Sequence, residues 1–222
     1  MKNRNHQNRI SRFIPTPKLN AKPVSPELIT PAKILKPDQA AALLRSCEDP
    51  LVLLHVVLPL FAGLRPDEVA RLQWCQFDPS ESIIVTSQRP AGQMGMMQCV
   101  RKIPIQPVLE IWLEPFYGCN SVVFTDPAIR QQVSQVLRLA GIADVHQLRQ
   151  TFLIYSLEFC RDYLIGWELM VDVELKHLQG RFLPSISEHT VDRMFSLTPK
   201  FIGINDWRRR VAQALKRFPP TK

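Results

Sequence analysis

At 222 residues the chain is long enough for one sizeable domain, or for one domain with an arm. Hydrophobic residues make up 45% and charged residues 22%, which is ordinary for a soluble globular protein. The longest apolar run, Leu51 to Leu64, is too short to span a bilayer and contains His55 and Pro59, so it predicts a buried helix. The polar, basic N-terminus has no apolar segment of the kind found in secretory signals, which favours a cytoplasmic protein without membrane contact.

The five cysteines are scattered singly, without a C-x-x-C pair, which argues against a disulfide framework and a structural zinc site. The net charge of +8 is concentrated at the two ends. Residues 1–30 hold six basic residues and one acidic residue, and residues 200–222 hold seven and one. Basic ends suit a polyanionic partner such as DNA, although solubilising tails would look the same.

In chain order, residues 1–32 are rich in proline and basic residues and cannot form a core, so we predict an extended arm or linker followed by one domain over 33–222. Pro37 and Asp38 predict a helix that ends near Cys47. Asp49 and Pro50 open the apolar helix, Gly63 ends it, and a short helix follows from Pro66 to Leu72.

Two strands, Ser82 to Thr86 and Val100 to Ile105, are predicted to form a β-hairpin with a long tip. A short helix at Val108 to Leu113 and a brief strand at Ser121 to Thr125 come next. Further helices are predicted at 127–140, 145–161, 167–178, 186–196 and after Asn205. In the last one Trp207, Val211 and Leu215 form an apolar stripe, with Arg208 to Arg210 outside it. The predicted fold is mainly α with a small antiparallel hairpin, an α+β arrangement.

Three segments place cations where they can meet an anion. Arg65 follows Gly63 at a turn between two helices. His146 and Arg149 lie three residues apart near a helix start and are predicted to share one face. The hairpin carries Arg89, Arg101 and Lys102. Because arginine binds non-bridging phosphate oxygens with two parallel hydrogen bonds, these residues favour a phosphate ligand over a metal or a small metabolite. No cofactor is predicted.

The segment A-G-L-R-P-D-E-V-A-R-L-Q-W at 62–74 resembles the first active-site box of the tyrosine recombinases, the phage-integrase family. H-Q-L-R-Q-T-F at 146–152 resembles the second box, and I-I-V-T-S-Q-R with R-K-I-P-I resembles the family's β-hairpin. The lead-in I-L-K-P-D-Q-A-A-A-L-L has the form in which the family's catalytic domain begins, so the resemblance covers residues 33–200.

The resemblance implies the fold of a tyrosine-recombinase catalytic domain and a role in site-specific DNA recombination and integration. In that family a tyrosine attacks the scissile phosphate and forms a 3′-phosphotyrosyl link. By resemblance Arg65 and Arg149 would clamp the phosphate, and His146 would assist proton transfer. A hairpin lysine usually protonates the leaving oxygen; here Arg89 is the nearest candidate, and its pKa is too high for easy proton donation.

The sequence departs from the family at the positions that break the strand. Arg181 replaces the second histidine of the family, and Arg193 stands where the nucleophilic tyrosine belongs. The chain's tyrosines are Tyr117, Tyr155 and Tyr163, and Tyr155 is expected to point into the core. We therefore expect a DNA-binding relative with impaired cleavage, whose protein partner is a second copy or an active recombinase. Two alternatives stay open: an active enzyme whose nucleophile is displaced or supplied in trans, and a helical protein-interaction module without a DNA role.

Overall fold

The computed structural model describes residues 34–88, 99–117, 119, 127–159 and 186–217. These ranges are mostly helical with one small antiparallel sheet, as the sequence predicted. The predicted arm, the hairpin tip with Arg89, the brief strand at 121–125 and the helix at 167–178 lie outside the described residues. Within the ranges, no helix combines the length and apolar content needed to cross a membrane.

The first two helices confirm the predicted start and stop signals. Helix α1 spans Pro37–Ser46, and the backbone N–H of Lys36 donates to Oε1 of Gln39 at its start. Helix α2 spans Pro50–Ala62 and begins where the Asp49 carboxylate accepts from the Leu51 N–H at 2.8 Å. Such a bond satisfies one of the donors that a helix leaves unpaired at its N-terminus. Proline at the first helical position supplies the correct φ in both cases.

Helix α3 is shorter than predicted. It spans Pro66–Val69, because the backbone tightens there: the N–H of Arg71 binds the Glu68 carbonyl three residues back at 3.1 Å. Tight i to i−3 bonds of this kind commonly close the last turn of a helix. The chain then runs through a 3₁₀ turn at Trp74–Gln76 into the sheet.

The sheet has three strands in the order β1, β2, β3, all antiparallel. Strands β2 (Ile83–Gln88) and β3 (Cys99–Pro104) form the predicted hairpin, with Ile84 opposite Ile103 in the core. Strand β1 (Phe77–Asp78) was not predicted, because two residues are too few to show an alternating pattern. It follows the 3₁₀ turn directly and pairs with the start of β2.

Five further helices complete the described fold and agree with the sequence prediction within about two residues. They are α4 (Pro107–Leu113), α5 (Pro127–Leu139), α6 (Val145–Phe159), α7 (Glu188–Phe195) and α8 (Trp207–Leu215).

Helix α2 is the centre of the core. Every one of its residues is buried, and it packs against α4, α5, α6 and α8. A helix that is apolar on all sides is stable only when other helices enclose it, which is the arrangement seen here. The prediction of a buried helix at this run is therefore confirmed.

Helix α8 is fastened to the core by aromatic and polar contacts. The Trp207 ring meets the Trp112 ring edge-on at 5.1 Å, and its Nε1 donates to the Trp112 carbonyl at 3.2 Å. Arg210, predicted to lie outside the apolar stripe, is partly buried and donates to the carbonyls of Cys47 and Glu48. The three arginines therefore do not form a uniformly solvent-exposed surface, because one of their side chains stabilises the loop between α1 and α2.

The cysteines of the described part differ sharply in environment. Cys47 is fully buried and its Sγ contacts the Leu43 carbonyl, whereas Cys75 is exposed. Burial raises the pKa of the Cys47 thiol to about 12, although the Ser46 hydrogen bond and the Arg210 charge act in the opposite direction. The buried thiol therefore stays protonated and unreactive at neutral pH.

We expect iodoacetamide at pH 8 to modify Cys75 in the native protein and to leave Cys47 unmodified until denaturant is added. Peptide mapping by mass spectrometry measures both sites in one sample, with Cys75 as the internal control. Equal rates at the two cysteines in the native state would contradict the buried position. Because unfolding restores the ordinary pKa of 9.0, the thiol's contribution to stability is present below pH 9 and is lost as pH rises towards 12.

Candidate functional site

The turn between α2 and α3 places Arg65 at the junction of two helices. Gly63 ends α2 in the left-handed conformation, with φ of 60°, and its N–H binds the Pro59 carbonyl at 3.2 Å. Glycine adopts this conformation without the steric penalty that a Cβ carries. The chain is extended again at Arg65, and Pro66 opens α3. Arg65 is partly exposed, and its backbone N–H donates to Oε2 of Glu68 at 2.7 Å.

Glu68 joins this turn to the β-hairpin. Its Oε2 also accepts from Nη2 of Arg101 on β3 at 2.6 Å. The side chains of Glu68 and Arg101 are only 1% and 12% exposed, so this ion pair is largely removed from water. Breaking such a pair by removing one partner is costly, because the other charge is left buried without compensation. The hairpin therefore does bring a cation to the turn, and that cation is Arg101.

Arg149 approaches the same turn from α6. Its residue is only 3% exposed, and its Nη1 donates to the carbonyl of Gly63. One helical turn further along, Phe152 packs against Gly63: a Cβ added to this glycine would lie 2.5 Å from the ring. Helix α6 thus contacts the Gly63 turn through both side chains, and this contact brings the residues Arg65 and Arg149 to one place.

His146 and Arg149 were predicted to share a helix face, and both lie near the start of α6. Their environments differ, since His146 is exposed while Arg149 is buried. His146 lies in the first turn of α6, whereas Arg149 lies where α6 packs against the end of α2. Two of the predicted site residues, Arg89 and Arg181, lie outside the described residues.

Arg193, at the position where the resemblance puts a tyrosine, lies on α7 and is 44% exposed. Its Nη2 contacts the Asp38 carboxylate of α1 at 2.5 Å. An exposed ion pair of this kind contributes little to stability. Guanidinium is not a nucleophile, so nothing at this position can attack phosphorus.

The tyrosines of the described part are poorly suited to nucleophilic attack. Tyr155 is 2% exposed, as predicted, and burial raises the pKa of its hydroxyl. The pKa of Tyr117 is raised by burial and by the charges of Glu110 and Glu114. A raised pKa disfavours the phenolate that would attack a phosphate. Tyr163 lies outside the described residues.

Sequence reasoning missed the role of Glu68. In the structure this carboxylate accepts from the Arg65 backbone N–H and from the Arg101 side chain. A glutamate at the third helical position is a known N-terminal capping signal, so the backbone bond could have been anticipated. The pairing with Arg101, 33 residues away, depends on how the hairpin packs.

Three arginines, Arg65, Arg101 and Arg149, lie at or beside one turn, where Glu68 is the buried carboxylate and Asp67 the exposed one. The hydrogen bonds to the Gly63 carbonyl and from the Arg65 N–H hold the turn in place. The buried ion pair between Glu68 and Arg101 holds the hairpin against this turn. Arg65 is partly exposed, whereas Arg101 and Arg149 are largely buried and donate to Glu68 and to the Gly63 carbonyl. A partly exposed guanidinium at such a turn can pair with an anion. Among the described residues, no group of three or more His, Cys, Asp or Glu residues is placed to hold a metal ion.

Comparison with known proteins gives limited similarity. No family model matches the chain, and no curated protein matches it in sequence. Among solved structures, the chain is similar to the integrase from mycobacterium phage Brujita at 16% identity, with a TM-score of 0.43. The match covers 79% of this chain and 67% of the integrase.

Proposed function

We propose that the protein binds DNA through backbone phosphates at the turn that carries Arg65, as a relative of the tyrosine recombinases that has lost strand cleavage. The observation that carries the proposal is the bond from Arg149 to the Gly63 carbonyl, because it brings Arg149 to the turn that carries Arg65. Arg101 reaches the same turn through Glu68. Arginine is the residue best matched to phosphate geometry, so this cluster suits a nucleic-acid backbone.

The bulk charge of the chain does not by itself favour a phosphate ligand at this place. The interior of the chain is slightly acidic, so a DNA face there depends on local clustering rather than on bulk charge. The local cluster consists of Arg65 at the turn, Arg149 on the Gly63 carbonyl and Arg101 on the Glu68 carboxylate. The basic ends would add long-range, salt-dependent attraction without choosing the site.

Loss of cleavage is part of the same proposal. Arg193 occupies the expected nucleophile position, and burial raises the pKa of both Tyr117 and Tyr155. A protein of this kind would hold DNA and could act with an active recombinase, or persist as a remnant of a mobile element. Site-specific recombination and integration would then be the process it takes part in, rather than a reaction it completes alone.

DNA binding is tested by fluorescence anisotropy over a salt series. We expect Arg65→Ala to weaken binding by about tenfold and to lower the salt slope by about 1, because one phosphate contact is lost. Arg71→Ala is the matched control: it removes the same charge six residues away, from an exposed ion pair with Asp67. Arg149→Lys is preferred to alanine at the buried position because it keeps the charge and loses the planar fork.

Equal binding by wild type, Arg65→Ala and an Arg65→Ala/Arg149→Lys double variant of intact fold would contradict the phosphate site. In that case the basic ends alone would hold DNA, or the chain would act as a protein-interaction module. A circular dichroism spectrum of each variant separates loss of binding from loss of fold.

Cleavage is tested separately with a nicked duplex and denaturing electrophoresis. We expect no covalent protein–DNA adduct. An adduct would overturn the loss of cleavage and support the alternative of a displaced nucleophile. Tyr163→Phe then asks whether that residue forms the adduct, since it is the tyrosine outside the described ranges.

A further inference from the structure

The outer side of helix α5 carries an unusual set of polar residues. Ile129, Val133 and Leu137 are buried and hold the helix in the core, where it packs against α1 and α2. The other side of the helix carries arginine and glutamine, and none of the helix's thirteen residues is acidic. Because no carboxylate neutralises them, the arginines keep their full positive potential at this surface.

The helical period places Gln131 and Gln135 at the centre of the exposed side. With about 3.6 residues per turn, both point away from the buried residues of the helix. Arg130 and Arg138 are exposed on one flank of the glutamines and lie about 12 Å apart along the helix axis, at a rise of ~1.5 Å per residue. These four residues form what we call the α5 face.

The two arginines of the α5 face have no partner within the described part of the chain. Their side chains form no ion pair and no hydrogen bond there. Exposed arginines elsewhere are paired with a carboxylate, namely Arg71, Arg193, Arg208 and Arg217. The cations of the α5 face are therefore free to bind an anion from outside the domain.

The chemistry of the α5 face matches the major groove of duplex DNA. A carboxamide both donates and accepts, so glutamine can bind the N6 and N7 atoms of adenine together. Arginine binds non-bridging phosphate oxygens. A helix roughly 10–12 Å in diameter fits a groove that is about 12 Å wide.

We propose that the α5 face enters the major groove, where Gln131 and Gln135 contact base edges while Arg130 and Arg138 contact phosphates on one wall of the groove. This inference rests on the proposed DNA binding. It adds a sequence preference, which a phosphate contact at Arg65 does not supply.

The burial of α5 argues against a membrane as the occupant of this face. A helix that lies on an anionic membrane inserts its apolar side between the lipids. In α5 that side is already buried in the protein core, and the outer side presents amides and guanidinium groups. An acidic protein surface would use the charges, but it would give the two glutamines no role in choosing a DNA sequence.

The phosphate contacts are tested by fluorescence anisotropy of the full chain over a salt series. We expect Arg130→Ala and Arg138→Ala each to lower the salt slope by about 1, and the double variant to lower it by about 2. Arg71→Ala is the matched control, since it removes an exposed arginine that already pairs with Asp67, and its slope should equal that of wild type. Circular dichroism checks the fold of each variant.

The base contacts are tested by selecting bound duplexes from a pool with a randomised segment. We expect wild type to enrich particular bases, and Gln131→Ala/Gln135→Ala to lose that preference while keeping its salt slope. Gln132→Ala is the matched control, because this glutamine is exposed on the same helix but lies off the centre of the face.

The outcomes separate this inference from the proposed function. DNA binding that depends on Arg65 but is unchanged by loss of Arg130 and Arg138 would overturn the inference alone and leave an acidic protein surface as the partner of α5. Equal base preferences for wild type and the double glutamine variant would overturn the assigned base contacts. A wild-type chain that binds no DNA would overturn both proposals.

Discussion

Gly63→Ala is expected to destabilise the fold by about 3 kcal/mol. Two costs combine at this position. The left-handed conformation, with φ of 60°, is unfavourable for any residue with a Cβ. The new Cβ would also lie 2.5 Å and 2.8 Å from two carbons of the Phe152 ring, which is itself buried. Chemical denaturation monitored by circular dichroism measures the loss.

Gly141→Ala is the control that separates these two costs. Gly141 has φ of 70°, but nothing lies within 4 Å of the Cβ position, so only the conformational cost of about 1 kcal/mol applies. The difference between the two variants reports the clash with Phe152. If both variants lose the same free energy of unfolding, α6 does not press against the Gly63 turn as described.

Glu68→Ala is expected to cost about 3 kcal/mol, because it leaves Arg101 largely buried without its carboxylate. It also removes the acceptor for the Arg65 backbone N–H. The matched control is Asp67→Ala, which breaks an exposed ion pair with Arg71 and should cost less than about 1 kcal/mol. Urea denaturation of the two neighbouring variants compares a buried carboxylate directly with an exposed one.

A double-variant cycle makes this prediction more specific. Adding Arg101→Ala to Glu68→Ala should restore part of the lost stability, since no unpaired charge then remains buried. Strictly additive losses would mean that the two side chains do not depend on each other. The Glu68→Ala variant should also weaken DNA binding more than Asp67→Ala, because the Arg65 turn loses its anchor to the hairpin.

Local signals in the sequence explain most of the described fold. Asp49, Pro50 and Gly63 mark the bounds of α2, and the structure places these residues at its cap, first position and end. These signals act over a few residues, so one sequence is enough to identify them. The end of α3 and the two-residue strand β1 were missed because neither leaves a periodic pattern.

The candidate site could be predicted only in part. The positions of Arg65 after a glycine turn and Arg149 on a helix were visible in the sequence, as was the presence of cations on the hairpin. The sequence did not show that Arg149 is buried, or that Arg101 is the hairpin cation that pairs with Glu68. Both depend on contacts between segments 86 and 33 residues apart, which packing and strand register determine.

The central position of α2 has a consequence for how the chain is made. Most of the helices that pack against this apolar segment come later in the sequence, among them α4, α5, α6 and α8. During synthesis α2 leaves the ribosome well before α6 and α8 exist, so its apolar sides face water until they arrive. A nascent or truncated chain that stops before Val145 would therefore leave uncovered the sides of α2 that face α6 and α8, and it should bind chaperones or aggregate.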